Sequence, residues 1–475
     1  MPIRRGYLLL VVLPFLALLV ALHFGAARHP SPVPSSAPAA PAASAHAADA
    51  TPTATSSVGL LLAQVLAVLL ATRACGLALR PLGQPQVVGE MLAGILLGPS
   101  LLGLLAPAAS AALFPPSSLP VLSALSQLGM VLYMFLVGLD LDTGALRERG
   151  GTALLISHAS IVVPFALGIA LSLALFGRFA PPGLPFTPFA LFLGAAMSVT
   201  AFPVLARILA ERGLQRTPLG GLALSAAAVD DVSAWTILAA ITVVVRTAGA
   251  ENVPFPTVLG LALFVGGGWL VRRPLRRVTT AALESRGGMT HGLLATLVGL
   301  ALAGGCVTEA LGLHALFGAF FAGLLLSKER RLAQAARERL EGPLIVVLVP
   351  LYFAFTGLRT RLDLMVEPAA WLVAFVVVGV AVIGKLGGSA LAARASGVPS
   401  RDALALGVLM NTRGLMELVI LNVGLDLGVV SPTLYSVLVL MAFVTTLMTS
   451  PLLSALGAPT GPAPGGSLVS DTRKQ

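Results

Sequence analysis

Long apolar runs alternate with short polar clusters along most of the chain, and after residue 57 about thirteen of them approach the length that about 30 Å of hydrocarbon demands of a helix. They centre near residues 68, 97, 129, 164, 198, 232, 263, 299, 319, 351, 381, 413 and 443, and several are long or interrupted by Gly and Pro. An earlier run, from about Gly6 to Ala27, follows Met-Pro-Ile-Arg-Arg. It makes residues 1–28 a signal peptide or an extra membrane anchor, with small-residue cleavage positions near Ala27 or in Ser44-Ala45-His46-Ala47. Residues 29–56 turn to Pro, Ala, Ser and Thr, which have little to bury, and read as a disordered linker. The pattern therefore predicts an all-α polytopic membrane protein, with its transmembrane domain over residues 57–456 and a short cytoplasmic tail over 457–475.

Two runs carry polar residues at mid-length. In the fifth, Ser198-Val199-Thr200-Ala201-Phe202-Pro203 sets hydroxyls just before a proline, which removes a helix hydrogen bond and frees a carbonyl in mid-membrane. The twelfth contains Met410-Asn411-Thr412-Arg413-Gly414-Leu415-Met416-Glu417, a polar cluster around a glycine. Two broken helices, one in each half of the chain, are the pattern of inverted-repeat transporters with a midplane site.

Three further charges lie far from any aqueous end. Asp230 and Asp231 sit in a stretch from about Pro218 to Val245 that has no other charge. At about 1.5 Å of rise per residue each end is about 20 Å away, beyond the reach of snorkelling. Lys385 lies within Val376 to Gly388, and its nearest charged neighbour in sequence, Arg394, is about 13 Å further along a helix. Such a lysine needs an acidic partner. Asp230 or Asp231 is the candidate, because an ammonium and a carboxylate left single at this depth each cost more than the pair. A purely structural salt bridge is the bland alternative. The stretch from Gly379 to Lys385 nearly matches a nucleotide-binding loop but lacks the following Ser or Thr and is embedded in valines, so ATP-driven transport is rejected.

Composition and charge agree with this picture. With 57% hydrophobic and 11% charged residues among 475, the chain is too apolar for an ordinary soluble protein. The formal charge of +10 comes from clusters between apolar runs, which is how membrane topology is written, so nucleic acid is not an expected partner. If the linker lies outside, Arg4 and Arg5 together with alternate loops place twenty-three of the thirty basic residues on the inner side. Five, Arg28, Arg178, Arg246, Arg359 and Arg361, fall outside, and Lys385 and Arg413 lie within spans. An amino terminus outside after the linker and a carboxyl terminus inside follow, and the membrane expected for this integral protein is a bacterial inner (cytoplasmic) one. Cys75 and Cys306 imply neither a disulfide nor a metal cluster. There is no soluble Ser-His-Asp set, metal-ligand spacing or phosphate loop, so neither an enzyme nor a cofactor is expected.

Paired acids give a physical basis for coupling. A carboxylate in a water-filled cavity holds a proton or a small hard cation, but not both comfortably, so the two compete for one negative site. Competition with alternating access yields exchange. If Asp231 binds the ion and Asp230 pairs with Lys385, a cation that displaces the lysine also releases its proton. A sodium-coupled symporter of a small organic solute would instead need a roomier pocket and neutral oxygens. A non-transporting membrane sensor would have no need of Asp231.

Four strings carry a resemblance. AMSVTAFPVLARILAERGL (Ala196 to Leu214), AAAVDDVSAW (Ala226 to Trp235), ALGLHALFGAFFAGLLL (Ala310 to Leu326) and MNTRGLMELVILNVGLDLGVVSP (Met410 to Pro432) resemble the second branch of the monovalent cation:proton antiporters. Plant cation/proton exchangers and bacterial potassium-efflux antiporters belong to it. The resemblance covers roughly Ser57 to Leu456 and implies the sodium/proton antiporter fold of thirteen helices, with two crossed broken helices in an ion-carrying core that moves against a dimerisation domain. It implies a homodimer in membrane lipid that moves Na+ or K+ against protons, with the alkali cation at Asp231. Asp230 is then its acidic neighbour, Lys385 the charge partner, and Thr200 a neighbour of the ion. Ser198, Pro203, Asn411, Arg413 and Glu417 support the broken helices, Arg413 and Glu417 by balancing half-helix dipoles. The carboxyl-terminal regulatory domain of many potassium-efflux relatives and the long soluble tails of the plant exchangers have no counterpart in these residues.

Other polar residues read more plainly. Arg413 and Glu417 are four apart and suit an intrahelical ion pair. Asp140 and Asp142, near Arg147 and Arg149, read as solvated end charges, and Glu90 as a residue of the inner funnel. His158 and His314 suit hydrogen bonds to neighbouring helices.

Overall fold

The structure, a computed structural model, describes residues 6–29, 58–140, 150–214, 217–247, 255–285, 287–311, 314–365 and 367–457. Nearly all of the expected linker and tail, with Arg4, Arg5, Asp142, Arg147, Arg149, Arg216, Arg286, Arg473 and Lys474, lie outside the described residues. Among those described every regular element is a helix. In chain order the principal ones are α1 (Leu8–Arg28), α2 (Val58–Leu79), α3 (Gln86–Leu97), α4 (Leu119–Asp140), α5 (Gly150–Phe179) and α6 (Phe186–Ser198). There follow α7 (Phe202–Glu211), α8 (Pro218–Thr247), α9 (Phe255–Ser285), α10 (His291–Ala310), α11 (Ala315–Leu326) and α12 (Arg330–Pro343). The chain continues with α13 (Val349–Leu358), α14 (Pro368–Val382), α15 (Gly388–Ala395), α16 (Ser400–Met410), α17 (Leu415–Asp426) and α18 (Pro432–Ala455).

Ten helical stretches among the described residues are long and apolar enough to cross a membrane, α1 being one. Thirteen runs after the linker do not translate into thirteen such helices. The runs centred near 198 and 413 are each split into two short helices, the one near 319 is the 12-residue α11, and α9, the run near 263, is not among the ten. Prolines set many starts: Pro85, Pro185 and Pro399 directly precede α3, α6 and α16, and Pro368 and Pro432 open α14 and α18. Cys75 and Cys306 are free thiols.

The helices gather into two bundles. The first contains α5 to α8 and α14 to α18, with α1 laid against α5 and α6; the second contains α2, α3, α4, α10, α11 and α13, with α9 beside it. They meet where α13 touches α17 and where α3 touches α18. Directly before α1, Tyr7 Oη is 3.0 Å from His158 Nδ1 on α5, so this histidine serves a hydrogen bond between the two segments. Asp140, expected to be a solvated end charge, is exposed and pairs with Arg337 of α12.

Glycine permits the closest approach in the second bundle. A Cβ on Gly94 would lie 2.1 Å from Ala354 O, and one on Gly357 would lie 2.6 Å from Gly94 C, both far inside contact distance. Replacing Gly94 with Val therefore forces α3 and α13 apart. Overpacking of this kind costs about 1–3 kcal/mol or more, and thermal unfolding in detergent is expected to shift clearly downward, whereas Gly177→Ala, with nothing within 4 Å, is expected to leave it in place.

Candidate ion and proton site

Two breaks bring helix ends into the middle of the first bundle. α6 stops at Ser198 and α7 starts at Phe202, so Pro203 is its second residue, where a missing N–H costs nothing. α16 stops at Met410 and α17 resumes after Gly414. The unwound stretches touch: the Ala201 N–H donates to Thr412 O at 3.2 Å, and Thr200 Oγ1 lies 3.0 Å from Met410 O. Partial negative charge gathers where α6 and α16 end, and partial positive charge where α7 and α17 begin.

Buried cations meet the end of α6. Arg413 donates from Nη1 to Ala196 O at 2.9 Å and from Nη2 to Met197 O at 2.6 Å. Lys385 Nζ donates to Ser198 O, while the Ser198 hydroxyl turns back to Ala195 O. Thus Arg413, from the second break, satisfies the half-helix of the first. Its own pair with Glu417 spans 3.2 Å, yet neither Glu417 oxygen is aligned with a hydrogen-bond donor among the described residues.

The two aspartates have opposite surroundings. Asp230 Oδ1 accepts from Ser157 Oγ at 2.5 Å, and its Oδ2 accepts from Ser160 Oγ at 2.7 Å, Thr200 Oγ1 at 2.7 Å and Lys385 Nζ at 3.0 Å. A carboxylate has room for about four such donors, so Asp230 is saturated. Lys385 spends its remaining protons on Ser160 O at 3.0 Å and on Ser198 O. It reaches them from a π-helical turn, Ile383–Gly387, pressed against α5 through Gly384, where a Cβ would lie 3.0 Å from Pro164 Cα. Asp230 and Lys385 thereby form a closed, electrically neutral unit in which both side chains are fully buried.

Asp231 lies about 100° further round α8. Its Oδ1 accepts the Phe202 N–H, at the start of α7, over 3.4 Å, and its buried Oδ2 has no hydrogen-bond partner among the described residues. Leaving such an oxygen unmatched costs about 1–3 kcal/mol, more for a charged group. Binding a proton or a cation removes that cost. Of the two acids, only Asp231 has coordination capacity to spare.

Not every expected residue reaches this centre. Asn411 Nδ2 faces Met448 Sδ at 3.9 Å, its Oδ1 has no partner among the described residues, and Thr412 Oγ1 is also unmatched. Glu90 is buried in α3, in the second bundle. Conversely, Ser157 and Ser160 were not singled out from the sequence, although two hydroxyls three apart in an apolar run give a helix one polar stripe.

Over residues 65–456 the sequence matches the sodium/hydrogen exchanger transmembrane family. The chain belongs to that family. It is therefore an integral membrane protein and not an enzyme. It is 43% identical over 402 residues to the Na(+)/H(+) antiporter NhaS4 of Synechocystis sp., a match covering 84% of this chain and 97% of that protein. It is 42% identical over 406 residues to Cation/H(+) antiporter 17 of Arabidopsis thaliana, covering 84% of this chain but 48% of that longer protein. The chain thus spans nearly all of the first relative and about half of the second. The fold is similar to that of the sodium proton antiporter MjNhaP1 of Methanocaldococcus jannaschii, with a TM-score of 0.61 at 15% identity, over 84% of this chain and 99% of that one.

Proposed function

We propose that this chain exchanges a monovalent alkali cation, Na+ or K+, for protons by alternating access, the two ions competing for the Asp231 carboxylate. The observation that carries the reading is the contrast within the doublet: Asp230 is saturated by three hydroxyls and Lys385, while Asp231 keeps a buried oxygen without a partner. A single free negative site accepts one positive ion at a time. The Thr200 hydroxyl and the unwound backbone beside it are the nearby oxygens proposed to complete the cation's shell. Lys385 is the charge partner of Asp230 and does not itself touch the cation. Arg413 and Glu417 hold the broken helices in register. No cofactor enters this chemistry.

The antiporter names of the relatives support exchange over sodium-coupled symport. Residues 57–456 are proposed as the transport unit, working as a homodimer in a bacterial inner membrane. The Arg-rich loop ends would face the cytoplasm, and the amino terminus of the transport unit the other side.

Purified protein in liposomes with an internal pH dye tests the reading. Addition of Na+ or K+ outside is expected to drive protons out of the lumen, and choline is expected to do nothing. Na+-dependent uptake of an organic solute, with no dye response to Na+ or K+, would favour symport instead. With Lys385→Ala, cation-dependent proton movement is expected to persist with altered dependence on an ionophore-clamped voltage. A voltage response identical to that of the unaltered protein would remove Lys385 from the charge-moving unit.

A further inference from the structure

Trp235 is one turn beyond Asp231 on α8, about 6 Å toward the Thr247 end. Four residues apart on a helix, the two side chains share a face. Although Trp235 belongs to the first bundle, its ring packs on the second: the centroid lies 4.7 Å from that of Phe317 in an edge-on contact and 5.9 Å from that of Phe320 in a stacked one. Phe317 and Phe320 occupy the first two turns of α11. The indole is 4% exposed, and its Nε1 has no hydrogen-bond partner among the described residues. An unmatched buried N–H costs about 1–3 kcal/mol, so this position uses the bulk of the ring and not its polarity.

Beyond these rings, at the start of α11, polar groups stitch the bundles together. Arg359 at the end of α13 donates to Asp426 Oδ1 at 2.6 Å and to Asn422 Oδ1 at 3.2 Å, both on α17. Asn422 Nδ2 donates to Thr356 Oγ1 at 3.0 Å, and Tyr435 Oη donates to Thr356 O at 3.3 Å. The cleft left between His314, Tyr352, Asn422 and Asp426 has a volume of ≈ 10 Å³. That is space for about one water and too little for a hydrated alkali cation. His314 and Leu316 of this cleft adjoin Phe317 and Phe320 at the start of α11, Trp235 packs on both rings, and Asp231 is one turn further along α8.

On the exchange reading above, we infer that Trp235, closed against Phe317 and Phe320, is the barrier that seals Asp231 from the compartment at the Arg359 end, and that its bulk keeps cation and proton movement coupled. The three rings come from both bundles, so sliding one bundle against the other opens the seal without unfolding either. Trp235 is a positioning residue, touching neither ion. A smaller side chain would leave a wet path to the carboxylate while the bundles remain closed, and protons would pass without exchange.

The test uses liposomes loaded with pH dye, free of alkali cations, with a lipophilic ion on both sides to clamp voltage and an imposed pH gradient. Trp235→Ala is expected to dissipate the gradient about tenfold faster than the unaltered protein. Trp235→Phe, which keeps a ring in place, is expected to hold it. Adding Asp231→Asn to Trp235→Ala is expected to remove the leak. A Trp235→Ala protein that is folded and as tight as the unaltered one would overturn the inference. Should that variant not fold, Phe317→Ala/Phe320→Ala thins the seal from the opposite wall and is read the same way. Because this leak needs no cation, its outcome is separate from the exchange assay: failed exchange by the unaltered protein would sink the antiport reading and not the barrier.

Discussion

Asp231→Asn is expected to reduce cation-driven proton movement in proteoliposomes to the rate of protein-free vesicles, while the protein stays folded with an unfolding temperature at or above that of the unaltered chain. Both halves follow from the environment of this carboxyl. It is buried, its Oδ1 receives one long bond from the Phe202 N–H, and its Oδ2 receives none among the described residues. Asparagine has nearly the same shape but neither binds a proton near neutral pH nor offers a full negative charge, so both transported ions lose their ligand. Removing an under-satisfied buried charge spares desolvation, and structure is therefore not the casualty. Transport of Na+ or K+ at the original rate by the variant would mean that the competing site lies elsewhere.

Asp230→Asn is expected to fail in the opposite manner. Asp230 and Lys385 are both fully buried and 3.0 Å apart, and the substitution strands the ammonium. Breaking a buried pair from one side costs about 3–5 kcal/mol. A large fall in thermal stability is expected, measured by unfolding in detergent. Lys385→Met should cost less, because Ser157, Ser160 and Thr200 still donate to the carboxylate left behind. The double variant Asp230→Asn/Lys385→Met should recover much of the loss, since neither charge then needs burial. Additive losses in the double variant would contradict a coupled pair.

What was legible in the sequence was the part written in composition and single residues. Apolar runs of spanning length announced helices, and Pro203 and Gly414 announced where two of them break. Lys385 demanded an acid because no water lies within its reach, and the structure puts Asp230 against it. The rest depends on facing, which one chain cannot specify without its neighbours. Asp230 and Asp231 are adjacent in sequence, yet one turns into four donors and the other toward a helix start. Ser157 and Ser160 looked like ordinary small polar residues until α5 set them beside Asp230. Arg413 and Glu417, four apart, suggested a local pair, but the guanidinium also crosses to the carbonyls of α6, more than two hundred residues earlier. Trp235 was part of a recognisable string, and its role as a wall depends on α11 of the other bundle. The π turn at Lys385 has no sequence cue beyond its glycines.

Proton release on cation binding tests the central claim most directly. Purified protein in weakly buffered detergent solution, titrated with NaCl or KCl against choline chloride while pH is recorded, is expected to release protons saturably, with less release at a pH where the site is already deprotonated. Asp231→Asn is expected to release none. Saturable alkali-cation binding without proton release, or equal release from Asp231→Asn, would contradict competition of the two ions for the Asp231 carboxylate.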